Sequence, residues 1–141
     1  MYKKVFLLIL LVTFCGNIVC GAEGEKKVEI FDNKSSSVVK TLSSSSDIQR
    51  ETSIIINNID GVYKKLDPIP KTGYMIKVPL VKPVTVSNEW FYHLVEEVII
   101  ILPQNDDPHL LLLDDEQFPH FFTFNHGIDD LLSYIDFEFR R

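Results

Sequence analysis

The chain has 141 residues and a formal net charge of −6, from 20 acidic residues against 14 basic ones. This length suffices for one domain and leaves little room for a second. A hydrophobic fraction of 45% exceeds that of disordered chains, so part of the sequence must bury a core. An acidic chain is repelled by phosphate backbones and anionic lipid surfaces, so nucleic-acid binding is not expected.

The N-terminal residues have the parts of a secretion signal. Lys3 and Lys4 make the start positive, an apolar run follows, and short side chains precede Ala22. The rival interpretation is an uncleaved anchor, but the apolar run is shorter than the roughly 20 residues that span a bilayer. We therefore predict a signal peptide over residues 1–21, with cleavage between Gly21 and Ala22. The mature chain would be secreted, without a membrane span.

Both cysteines of the chain, Cys15 and Cys20, lie in this predicted leader. Cleavage would leave no thiol, which excludes disulfides, a thiolate metal site and a cysteine nucleophile from the mature chain. It would also leave 12 basic residues against 20 acidic ones, a net charge of −8. The mature domain must then be held by apolar packing alone, or function where disulfides are not useful, such as a host cytosol.

Residues 22–51 are rich in charge and in serine and contain few large apolar side chains. Such a composition does not compensate the entropy lost on ordering, so we predict a flexible linker. Asn33-Lys34-Ser35 is an N-glycosylation sequon, which makes Asn33 a candidate attachment site.

From residue 52 onward the sequence pattern is that of a small β-rich domain. Short β-branched or alternating runs recur between turn residues, which is typical of an antiparallel sheet or a sandwich. The predicted strands cover residues 53–59, 62–66, 74–78, 89–94, 98–102, 110–113 and 118–124, with Asp60-Gly61 as a hairpin turn. Pro79 and Pro83 confine the next stretch, residues 80–86, to an edge or a bulge.

The C-terminal residues 128–139 fit two structures. Ile128, Leu131, Leu132 and Ile135 recur on one helical face, whereas the residues from Ile135 to Phe139 also alternate like a strand. We favour a short helix packed on the sheet, because two aspartates stand in its first turn. The predicted fold class is mainly β, an antiparallel sheet or sandwich with a short C-terminal helix.

Residues 56–125 carry aromatic and β-branched positions in a characteristic order. They are Tyr63 to Leu66, Gly73-Tyr74 with Ile76 and Val78, Trp90, the run 98–102, Leu110 to Leu113, and Phe118 to Phe122. This pattern resembles the FAINT module of secreted proteins from intracellular apicomplexan parasites, the module "frequently associated in Theileria". The resemblance implies export by a parasite and a role at the host interface. It implies no catalytic residue.

Histidines and carboxylates are concentrated in the C-terminal half of the chain. His120, His126 and Asp129 or Asp130 could ligate zinc, but their spacing fits no known metal site, so we expect ordinary surface or boundary histidines there, as for His93 and His109. The acidic runs at residues 106–107 and 114–116 are expected to be solvated loops. No glycine-rich phosphate loop or serine elbow occurs. No cofactor and no metal is predicted.

Trp90-Phe91-Tyr92 is the most distinctive local feature. Side chains alternate along a strand, so either Phe91 or its two neighbours face the core. The outward side could present aromatic anchors to a partner, although coverage of both sides is the commoner arrangement. The three residues are the candidate partner-binding site.

The leading hypothesis is a secreted, non-enzymatic protein–protein interaction module whose partner is a protein, for example a host protein. It would bind through the aromatic strand or through the stretch from Pro79 to Pro83. A second hypothesis is a hydrolase or metal-dependent enzyme, which requires His120, His126 and Asp129 to converge in one concave site. A third is a carrier of small ligands, which requires an apolar cavity between sheet and tail helix.

Overall fold

The computed structural model describes residues 24–140, so the predicted leader and its cleavage site at Gly21 and Ala22 lie outside the described residues. The elements are β1 (Lys27–Asp32), β2 (Ser37–Ser43), α1 (Ser46–Asn57), β3 (Ile59–Val62), β4 (Gly73–Ser87), β5 (Tyr92–Pro103), β6 (His109–Leu113), β7 (Pro119–Phe124) and α2 (Asp129–Tyr134). The strands form one antiparallel seven-stranded sheet in the order β2-β1-β4-β5-β6-β7-β3. The predicted fold class is confirmed, as a single sheet and not a sandwich.

The structure corrects the prediction of a flexible linker before residue 52. β1 and β2 form a hairpin, and β1 also pairs with β4, so this segment belongs to the sheet. Val28 and Ile30 alternate along β1 and are both fully buried. The few apolar side chains of the segment suffice because the central sheet supplies the rest of their core. The predicted boundary at residue 52 therefore cuts through one folded unit.

Helix α1 replaces the strand predicted over residues 53–59. The serine run provides its N-cap, since the Ser45 hydroxyl accepts a hydrogen bond from the Ile48 amide at 3.2 Å. Ile48, Thr52, Ile55 and Ile56 are all buried and follow the spacing of one helical face. The predicted domain boundary between residues 51 and 52 placed Ile48 in the linker and Thr52, Ile55 and Ile56 in the domain. The helical spacing of the four residues was therefore missed.

The Asp60-Gly61 hairpin is also wrong, because both residues lie within β3, which pairs with β7 at the far side of the sheet. The chain therefore runs back from β3 to β4 through residues 63–72, which we call the crossover loop. Tyr63 of this loop stacks on His109, and the Pro68 carbonyl lies 2.6 Å from His109 Nε2. Neighbouring residues of a strand point to opposite faces of the sheet. Leu110 belongs to the core under the helices, so His109 points to the other face. The loop thus covers the second face of the sheet.

The central strands agree with the sequence. The run 98–102 lies in β5 with Val98, Ile100, Ile101 and Leu102 all fully buried. The register of β4 against β5 shifts between Pro79 and Val84, which confirms the predicted bulge. Gln49 of α1 holds this bulge, since its side chain donates to the Pro79 carbonyl and accepts from the Val81 amide. The helix thus fixes the point at which the sheet bends.

The main core lies between one face of the sheet and the two helices. Ile55 and Ile56 from α1 and Leu131 from α2 pack with buried residues of all the central strands. The predicted short C-terminal helix is confirmed and ends at Tyr134. Beyond it, Phe137 packs edge-on against Tyr74, at 5.0 Å between ring centroids. The residues after the helix, 135–140, form no strand, although Ile135, Phe137 and Phe139 are less exposed than the residues between them.

Candidate functional site

The ends of β4 and β5 extend beyond the other strands as a two-stranded arm, residues 84–95. Its strands pair from Val84 with Val95 to Ser87 with Tyr92, whereas β6 pairs only with residues 99–101 of β5. A two-stranded ribbon without further contacts is marginally stable in water. The arm must therefore be fixed through one of its sides.

The aromatic run divides between the two sides of this arm. Phe91 is 4% exposed and Val95 is also buried, whereas Tyr92 is 72% exposed and Leu94 is 49% exposed. Phe91 therefore faces inward and cannot contact a partner directly, which removes it from the predicted binding residues. Trp90 stands at the tip, 39% exposed. We call Tyr92 and Leu94 with their exposed cross-strand neighbours Ser87 and Thr85 the arm face.

Asn88 explains why Trp90 is outside and Phe91 inside. Its side-chain oxygen accepts hydrogen bonds from the amides of Trp90 and Phe91, each at 2.9 Å, and its own amide donates to the Phe91 carbonyl. This turn fixes the backbone just before the second strand of the arm begins. The direction of each aromatic side chain is therefore set by the local turn as well as by packing.

A cluster of aromatic and imidazole rings anchors the inner side of the arm. Phe91 packs edge-on against Phe122 and His120, with centroids 5.4 Å and 5.2 Å away. His120 Nε2 lies 2.8 Å from an Asp114 oxygen, and this hydrogen bond holds the pKa of Asp114 below its usual value. His93 Nδ1 likewise lies 3.3 Å from a carboxylate oxygen of Asp115. The His93–Asp115 pair thus joins the arm to the turn between β6 and β7, whereas the His120–Asp114 pair holds in place the ring on which Phe91 packs.

A shallow pocket of about 370 Å³ separates the arm from that turn. It is lined by Leu94, Glu96, Glu97, Leu113, Asp114, Asp115 and Gln117, and we call it the acidic pocket. Val95 and Val98 both point into the core, so the irregular register leaves Glu96 and Glu97 together outside. Neither glutamate side chain has a hydrogen bond or a salt bridge among the described residues, and Glu97 is attracted only by the more distant Lys77. The pocket is strongly negative.

The structure does not bring the predicted histidine–aspartate cluster together. His120 pairs with Asp114, whereas His126 Nε2 lies 2.6 Å from the buried Glu51 of α1. His126 and Asp129 line a shared cavity of about 440 Å³ whose wall does not include His120. Within residues 24–140, no group of three or more histidines and acidic residues is placed to hold a metal ion.

His109 departs from the expectation of a surface histidine, because it is buried under the crossover loop. Tyr63 stacks on it at 3.9 Å and donates its hydroxyl to Asp106 at 2.8 Å. Burial and this carboxylate raise the pKa of Tyr63 to about 12. Hydrogen bonds from Lys65 and Tyr63 lower the pKa of Asp106 to about 2. Sequence reasoning missed this cluster, because its two halves, one near Tyr63 and the other near Asp106, are more than 40 residues apart.

The other predicted features lie elsewhere. A cavity of about 550 Å³ opens beside the crossover loop, whereas the groove at the tail helix is lined by residues 129–140 alone and does not lie between helix and sheet. The Asn33 side-chain amide donates to the Pro70 carbonyl at 2.8 Å, so a glycan there would have to displace this bond. In the part of the chain that is described, no helix is long and apolar enough to cross a membrane.

We predict that Asp106→Asn lowers the free energy of unfolding at neutral pH by about 1 kcal/mol. The effect is smaller than the pKa shift alone implies, because Lys65 is exposed and solvent screens its attraction to Asp106. The pKa of Asp106 lies below its ordinary value of 3.8, so the unfolded chain takes up this proton first as the pH falls. The contribution is therefore complete above about pH 4 and is lost between about pH 4 and pH 2.

Urea titrations at a series of pH values test this expectation. The difference between wild type and Asp106→Asn should shrink as the pH falls through that window. The exposed Glu89→Gln is the control, because Glu89 has no hydrogen-bond or ion-pair partner among residues 24–140. A constant difference at every pH would contradict the role assigned to Asp106.

Comparison with known proteins adds no relative: no family model, curated protein or solved structure matches this chain.

Proposed function

We propose that this chain is a non-enzymatic protein–protein interaction module that binds its partner through the arm face. The observation that carries the proposal is the exposure of Tyr92 and Leu94, side by side on a strand whose alternate residues, Phe91 and Val95, are buried. Exposed aromatic and aliphatic side chains on an otherwise polar surface are typical of binding sites. Tyrosine and tryptophan are also the residues that most often dominate binding energy.

The anchoring of the arm supports this proposal further. The ring cluster around Phe91 and the His93–Asp115 pair hold the inner side in place, so the outward side chains are positioned before a partner arrives. Preorganised anchors lose less entropy on binding than flexible ones. Trp90 at the tip is a third large side chain that is partly exposed near this surface. The second predicted site, around Pro79 to Pro83, is held by Gln49 and exposes only Val81 as a large apolar residue.

Secretion, export by a parasite and action at the host interface form the second part of the proposal. They rest on the leader-like N-terminus and on the resemblance to the FAINT module. The acidic surface and the lack of cysteines in the described residues agree with a module that works inside a reducing host compartment.

Site-directed photo-cross-linking tests the proposed function. A benzophenone amino acid replaces Tyr92 or Leu94 in the full chain, and in the control it replaces Val38, an exposed valine of the edge strand β2. Incubation with host-cell extract should give the same cross-linked protein from both arm positions and not from position 38. Equal labelling from all three positions, or none from the arm, would contradict the proposal.

A further inference from the structure

We infer that the arm face takes a basic segment of a partner protein, with an apolar side chain lying on Leu94 and a lysine or arginine in the acidic pocket. This inference rests on the proposed function and specifies the chemistry of its partner. Leu94 belongs to both surfaces, because it is an exposed member of the arm face and also lines the pocket. The apolar and the charged parts of the site are therefore continuous.

The geometry fixes the order of the partner's side chains. Tyr92, Leu94 and Glu96 are alternate exposed residues of one strand, so successive members lie about 7 Å apart along it. A partner that covers Tyr92 and Leu94 with apolar groups must place its next side chain beside Glu96. A neutral or acidic group there would leave the carboxylate desolvated without a partner, whereas a cation would pair with it.

The charge balance of the pocket selects a cation over the alternatives. Four of the seven lining residues are carboxylates, and none is basic. Asp114 and Asp115 each have a hydrogen-bonded histidine, and Lys77 attracts Glu97 at longer range, whereas no basic side chain within residues 24–140 pairs with Glu96. A second copy of this chain is a poor occupant, because two acidic chains repel one another. A basic peptide segment satisfies both the apolar and the negative parts of the surface.

The test uses a short fluorescent peptide with leucines in its first half and arginines in its second. Two counterpart peptides carry serine or glutamate in place of arginine. Binding to the full chain is followed by fluorescence anisotropy and by the emission of Trp90, the only tryptophan of the chain. We expect the arginine peptide to bind most tightly, and its affinity to fall as the salt concentration rises.

Two pairs of substitutions locate the binding. Glu96→Gln with Glu97→Gln should weaken the arginine peptide about five-fold or more, since each exposed ion pair contributes modestly. Asp129→Asn with Asp130→Asn is the control, because it removes the same charge from exposed positions in α2, outside the acidic pocket. Tyr92→Ala should weaken the arginine peptide and the serine peptide by the same factor, since it removes only apolar contact.

Each other outcome overturns the inference. If the double substitutions at Glu96 and Glu97 and at Asp129 and Asp130 weaken peptide binding equally, the peptide is attracted by the net charge of the chain alone. Tighter binding of the serine or glutamate peptide, still lost with Tyr92→Ala, would keep the arm as a binding site and overturn only the basic partner. Dimerisation of the chain that is lost with Tyr92→Ala would assign the face to a second copy. Failure of every peptide to bind would also contradict the inference. The cross-linking experiment at Tyr92 would then test the proposed function separately.

Discussion

Phe91→Ala is expected to destabilise the protein by about 3 to 4 kcal/mol, the cost of removing a buried aromatic ring and leaving a cavity. Phe91 is the one aromatic of the run 90–92 that is buried, and it joins the arm to Phe122 and His120 of β7. The substitution removes these contacts and leaves the two-stranded arm without its inner support. Chemical denaturation monitored by circular dichroism measures the loss, and the emission of Trp90 reports the arm itself.

Tyr92→Ala is the matched control for Phe91→Ala, since it removes an aromatic ring from the next position on the same strand. Tyr92 is largely exposed, so its loss should change the free energy of unfolding by less than about 1 kcal/mol. The two variants therefore separate the structural side of the arm from its proposed binding side. Similar destabilisation by both substitutions would show that the assignment of the two sides is incorrect.

Gly73→Ala is expected to destabilise the protein by about 3 kcal/mol or more, through backbone strain and overlap together. Gly73 begins β4 with φ of 115°, a conformation that side-chain-bearing residues rarely adopt. A Cβ atom added there would lie 2.2 Å from the carbonyl oxygen of Leu102 on the paired strand. The contact is with backbone, so relief requires movement of β5, where Ile100, Ile101 and Leu102 are fully buried.

Gly127→Ala provides the comparison for Gly73→Ala. A Cβ atom at Gly127 meets no other atom within 4 Å, and its φ is outside the left-handed range. We expect its free energy of unfolding to lie within about 0.5 kcal/mol of the wild type. Thermal denaturation of both variants measures the contrast. A mild effect at Gly73, comparable to that at Gly127, would contradict the strain assigned to the start of β4.

The strands from Gly73 to Phe124 were largely predictable from sequence, because prolines, acidic turns and β-branched runs mark their ends. The β-branched run at 98–102 identified the central strand without reference to any partner. The N-terminal third was not predictable in the same way. Val28 and Ile30 are too few to indicate a core by themselves, and only their pairing with β4 gives them one.

The candidate site was predictable only in part. The sequence singled out Trp90, Phe91 and Tyr92 and required that they alternate, but it could not decide which side faced the core. The turn made by Asn88 and the packing on Phe122 settle that choice. The acidic pocket could not be foreseen, because it combines Leu94 and the two glutamates after it with residues 113–117, which only the pairing of β5, β6 and β7 brings close.

The most direct test of the central claim is the dissociation constant of the cross-linked partner for the full chain and two variants. Tyr92→Ala should raise it about ten-fold or more, as loss of an aromatic anchor does. Val38→Ala, which truncates a half-exposed apolar residue on β2, should leave it unchanged. Equal dissociation constants for wild type and Tyr92→Ala, with both proteins folded, would contradict the assignment of the arm face as the binding surface.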